Sequence, residues 1–109
     1  DSPFSKRMFT IQLYIYLKGF IDSPTFFRSE ISNALREYGE KNDIDCFLKS
    51  AEFLDDSAKV LIKMNELLKE SKNYINDKSR LTNKLSDFVK ELYDIDCNIV
   101  NILSEYRKN

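Results

Sequence analysis

Apolar residues recur most regularly toward the C-terminal end of the chain. Leu81, Leu85, Phe88, Leu92, Ile95, Ile99, Ile102 and Tyr106 follow one another at alternating spacings of four and three, with no Gly or Pro between them. This is the seam of a helix that buries one stripe along its whole length. It predicts a single helix from Ser79 to Arg107, roughly 44 Å long, which needs partners of similar length.

A comparable stripe runs from Ile44 through Phe47, Ala51, Leu54, Ala58, Leu61 and Leu68 to Ile75, widened by Val60, Met64 and Leu67, and predicts a second long helix. Its phase, carried past Ile75, would reach Ser79 and Thr82, whereas the next apolar seam resumes at Leu81. The polar segment Asn76-Asp77-Lys78-Ser79 therefore reads as a helix–helix connection, with Asp77 or Ser79 as N-cap. Because no Gly stands there, one continuous helix that dimerises is the competing reading. Asn65 falls on the stripe: buried, it would set register; at the stripe's edge, it would meet water.

Nearer the N-terminus, Asp22-Ser23-Pro24 is a helix-start signal, followed by Phe27, Ile31, Ala34 and Tyr38 at spacings of four, three and four. A short helix is expected there, closed by Gly39, with Glu40 to Asp43 as a turn. Ser2 and Pro3 supply an earlier start signal. Between them, Phe9, Ile11, Leu13, Ile15 and Leu17 alternate with Thr10, Gln12, Tyr14 and Tyr16, which locally suits a strand. A strand must pair its backbone, and no second strand is visible in the chain. The run Met8 to Leu17 thus reads as a helix buried on most sides and stopped at Lys18 and Gly19; the alternative is a strand added to a partner's sheet. Two short helices laid end to end against a long helical hairpin make an all-α, elongated up-and-down bundle, a single domain over residues 1–109.

Composition narrows the function classes more than it selects one. With only 2 Gly and 2 Pro, the many tight turns of an all-β fold have no residues to make them. Lys plus Arg (17) nearly cancel Asp plus Glu (18), so no long-range pull toward nucleic acid is expected. No run of apolar residues is long enough to cross a membrane.

Candidate chemistry is sparse. The chain has no His, the commonest general base and metal ligand. Cys46 and Cys97 sit in the same tetrapeptide, Asp-Ile-Asp-Cys, but a simple hairpin about residue 77 places them roughly 16 Å apart along the axis. That separation is too great for a disulfide, and two distant thiols do not make a zinc site. Free thiols in a reducing, cytoplasmic setting are expected. The acidic groups Asp43/Asp45, Glu52/Asp55/Asp56 and Glu91/Asp94/Asp96 lack the calcium-loop pattern and read as solvated faces, with Asp55–Lys59 and Lys90–Asp94 as ordinary surface pairs. No catalytic residue, cofactor or metal is expected.

What remains is surface. Phe26 and Phe27 are adjacent, so a helix points them about 100° apart and a thin bundle fully buries one of them. Val89, Tyr93, Val100 and Leu103 form a second stripe beside the C-terminal seam. It is either the flank of a wide core-facing stripe or a strip covered by another chain. These six residues are the candidate partner-binding set.

The segment Asp22-Ser23-Pro24-Thr25-Phe26-Phe27-Arg28, followed by long amphipathic helices, resembles the entry to BAR domains of Arf- and Rho-GAP proteins, where an Asp-Ser-Pro-x-Phe-Arg segment precedes the first long helix. Here an extra Phe interrupts that motif. The resemblance implies a helical module lying on a membrane surface, for which Lys6, Arg7 and Lys18 are the available cations. The residues themselves favour a non-enzymatic protein-interaction or scaffold module, binding another protein or a second copy of itself; membrane-surface binding is the alternative.

Overall fold

The computed structural model describes residues 25–108. Among them are three α-helices and a short 3-10 turn: α1 over residues 25–42, α2 over Asp45–Lys69, the turn at Ser71–Tyr74 and α3 over Lys78–Lys108. The structure is all-α and elongated, 59 × 19 × 16 Å, with the helices running up, down and up. The expected helix over Met8 to Leu17 and the start signals at Ser2-Pro3 and Asp22-Ser23-Pro24 lie outside the described residues.

The hairpin of α2 and α3 holds the core. Val60, Leu61, Met64 and Leu68 form one buried cluster, packed by Leu85, Phe88, Leu92 and Ile95 of the α3 seam. Leu67, Tyr74 and Leu81 form a second cluster at the turn end. Both expected seams therefore face each other, and the continuous-helix reading falls. Asn65 is half-buried, and its Oδ1 is buried without a hydrogen-bond partner, so this carbonyl does not meet water at the stripe's edge.

α2 stops at Lys69, 25 residues long against 31 for α3, instead of continuing to Ile75. The physical reason is Tyr74. Turning early, through the polar run Lys69-Glu70-Ser71-Lys72-Asn73, carries its ring under the end of the hairpin, where it is 7 % exposed. Its hydroxyl accepts a 2.9 Å bond from Lys84 Nζ, and Arg80 and Lys84 lie 5.5 and 5.4 Å from the ring centroid. Asp77 then caps α3, its Oδ1 accepting from the Arg80 N–H at 3.1 Å.

The first connection also differs from expectation. Gly39 lies inside α1, and the turn is Asp43-Ile44, not Glu40 to Asp43. Asp43 takes the left-handed position (φ 58°), and the Ile44 N–H reaches back to the Gly39 carbonyl at 2.8 Å, the Schellman closure. Gly39 is used for closeness instead. A Cβ there would stand 3.0 Å from Phe47 Cβ, 3.1 Å from Leu48 Cδ2 and 3.2 Å from the Ile44 carbonyl oxygen. Gly39→Ala is therefore expected to destabilise by about 1–3 kcal/mol through overpacking, although Ala is the better helix former by about 1 kcal/mol. Urea unfolding measures it; a stabilised variant would show that the first turn of α2 is free to move away.

Candidate interaction groove

α1 meets the hairpin largely through polar and small residues; of its apolar stripe, Tyr38 packs on Phe47 of α2, ring centroids 5.8 Å apart. Phe27, Ile31, Ala34 and Tyr38, the spacing that marks this helix, are all exposed, and so is Phe26, where one of the two adjacent Phe was expected to be buried; Ser32 and Gly39 are buried and Arg28 and Leu35 half-buried. The cause lies in α2: over the half level with α1, Ser50, Ala51, Ser57 and Ala58 are buried, a surface of small side chains that lets another helix come close.

Two charged ties span this contact. Arg28 makes a two-pronged pair with Asp96 of α3, Nη1–Oδ1 2.7 Å and Nη2–Oδ2 2.9 Å, and Nη1 also donates to Ser57 Oγ at 3.1 Å. Ser57 in turn donates to the Leu54 carbonyl at 2.7 Å. About two turns along, Arg36 pairs with Asp55 of α2, and between them the Ser32 hydroxyl stands 2.5 Å from Asp55 Oδ1 and 3.1 Å from the Ala51 carbonyl oxygen. The hydrogen bond to Asp96 holds the Arg28 guanidinium above its ordinary pKa, although burial opposes this. Asp55 and Asp96 are thus half-buried tethers and not solvated carboxylates, and Arg36, not Lys59, engages Asp55.

The ties fix which way the exposed faces point. At 100° per residue, Arg36 lies on the α2 side of the contact face of α1, and Phe27, Ile31, Ala34 and Tyr38 on the α3 side. On α3, Asp96 is turned toward α1, and Val89, Tyr93 and Val100 stand on the flank beyond it, away from the seam. α1 and α3 run parallel and are joined by the Arg28–Asp96 pair, and at 100° per residue the two exposed stripes fall on the flanks of that contact, the face here called the groove. Phe27, Ile31 and Tyr38 are 61, 50 and 54 % exposed, and Val89, Tyr93 and Val100 are 54, 68 and 62 % exposed. Tyr93, Asp96, Cys97, Val100 and Asn101 line a shallow depression of about 300 Å³ on its α3 wall. A hydrogen bond to the Cys97 side chain, with the Asp94 carboxylate nearby, keeps the Tyr93 phenol above its ordinary pKa of 10.0.

Of the six candidate residues, Phe27, Val89, Tyr93 and Val100 border the groove. Phe26, 63 % exposed and 6.0 Å from Phe27 ring to ring, points away from it, and Leu103 is half-buried beside the seam. Ile31, Ala34, Tyr38 and Cys97 belong to the groove and were missed. Their spacing was visible, but the pattern marks an apolar stripe without saying whether the chain supplies its cover. No family model, curated protein or solved structure matches this chain.

Elsewhere the surface is more polar. A cleft of about 460 Å³ at the α1–α2 connection is lined by Asp43, Ile44, Asp45, Cys46, Lys49, Ile102, Glu105 and Tyr106, with Lys49 and Asp45 paired across 3.3 Å. Cys46 and Cys97 are free thiols, both half-buried. Among the described residues no cluster of His, Cys, Asp or Glu is arranged to hold a metal, and no helix is long and apolar enough to cross a membrane.

Proposed function

We propose that this chain is a non-catalytic interaction module, working in the cytoplasm, whose α1–α3 groove takes up an amphipathic helix from another protein or from a second copy of itself. One observation carries the reading: six large apolar side chains on two parallel helices, Phe27, Ile31 and Tyr38 of α1 and Val89, Tyr93 and Val100 of α3, are each half exposed or more. Scattered exposed apolar residues are ordinary on any protein, but a continuous double row is the form of a helix-binding site. A fourth helix laid there packs against both rows in coiled-coil fashion and completes a four-helix arrangement. The membrane-surface alternative draws its cations from Lys6, Arg7 and Lys18, outside the described residues, and a groove between two helices suits a helix better than a flat bilayer.

Selection of binding peptides against the full chain tests the proposal. Helical binders that are lost when Tyr93 and Val100 are both replaced by Glu are the expected result. Binders retained by that variant would overturn it.

A further inference from the structure

We infer that the hinge between α1 and α2 is a switch between one chain and two. It opens into a continuous helix over residues 25–69, and two opened chains exchange α1, each seating it on the other's α2–α3 hairpin. The partner is a second copy of this chain, held through the inner face of α1 and not through the groove. Three observations lead there.

The first is the hinge itself. Only Asp43 and Ile44 separate the two helices, and Asp43 holds φ at 58°, the left-handed region that a residue with a Cβ adopts at a cost. Glycine would sit there without strain. A short connection strained in its closed form invites exchange, because opening relieves it. The 2.8 Å bond from the Ile44 N–H to the Gly39 carbonyl, which closes the turn, gives way to the ordinary helical bond.

Phase is the second. At 100° per residue, the inward stripe of α1 through Arg28, Ser32 and Gly39 and the buried stripe of α2 through Ser50, Ser57 and Leu61 lie within about 60° of each other. The two-residue connection keeps them in register. A merged helix therefore carries one inner face from end to end, which is what an antiparallel second copy meets: its α1 on the first chain's α2, and the reverse.

The third is the seat. Arg28 binds Asp96 and Ser57, Arg36 and Ser32 bind Asp55, and Tyr38 packs on Phe47. All these contacts run from α1 to α2 or α3, and none passes through Asp43 or Ile44. An α1 supplied by a second chain makes them unchanged.

Co-refolding of two charge-reversed full chains tests this. Arg28→Glu sets two carboxylates against each other within one chain, and Asp96→Arg sets two guanidinium groups together. In an exchanged pair of the two variants, one lobe carries the native Arg28–Asp96 tie and the other carries it with the charges reversed. Unfolded together in urea and refolded at high concentration, the variants should give a one-to-one dimer by native mass spectrometry, and each alone should dimerise at least about tenfold more weakly. In the otherwise unmodified chain, Asp43→Ala should raise the dimer association constant about tenfold or more over Asp43→Gly, since two hinges open per dimer. A mixture that stays monomeric, a dimer that either variant forms alone as readily as the mixture, or equal association in the two Asp43 variants overturns the inference. The groove stands or falls separately, by its peptide binding.

Discussion

Leu68→Ala should cost about 2–5 kcal/mol of folding free energy, the largest single-residue loss expected in this protein. Leu68 is fully buried and sits with Val60, Leu61 and Met64 where α3 lays Leu85, Phe88, Leu92 and Ile95 across α2. Truncation removes its packing on both helices at once, and a core two helices thick has few neighbours able to collapse into the space. Urea unfolding followed by helix content should show the midpoint fall with an unchanged slope. Leu92→Ala, at a half-buried position on the facing seam, should fall at the low end of the same range, about 2 kcal/mol. A Leu68→Ala loss below about 1 kcal/mol would mean that the hairpin core is not the seat of stability.

Tyr93→Glu combined with Val100→Glu should leave folding nearly intact and weaken helix binding by about a hundredfold or more. Both side chains stand in the open, so replacement meets water and costs the fold within about half a kcal/mol per site. Once a helix closes the groove the same carboxylates must be desolvated against apolar neighbours, at several kcal/mol each unless a partner cation meets them. Titration calorimetry with a selected peptide, alongside thermal melting of the free protein, separates the two effects. Loss of cooperative melting in the variant would place Tyr93 and Val100 in the protein's own core and remove the basis for the groove.

The long seams were legible because each has a single extended partner. From Leu81 to Ile102 the heptad spacing alone states that α3 needs a helix beside it, and the stripe through Leu54, Leu61 and Leu68 supplies one. The α1 contact was illegible for the opposite reason. Arg28, Ser32, Arg36, Asp55 and Asp96 have the composition of a solvated face, and only their meeting in three dimensions turns them into an interface. Gly39 misled because a glycine near a helix end has two uses, a left-handed stop and a close approach, and sequence does not separate them; Asp43 took the first use and Gly39 the second. The early end of α2 had a visible signal in five consecutive polar residues, Lys69 to Asn73, overlooked because Ile75 continued the stripe.

The Arg28–Asp96 and Arg36–Asp55 ties give the molecule two tiers of cohesion. Hydrophobic burial joins α2 to α3 and is not weakened by charge screening, whereas α1 is held in part by charge pairs that water and counter-ions partly reach. Raising the ionic strength should therefore loosen α1 as a separate cooperative unit: its amides exchange with solvent well before those of Leu61 or Leu81. With one wall of the groove lifted away, helix capture becomes a property of the surrounding salt as much as of the sequence.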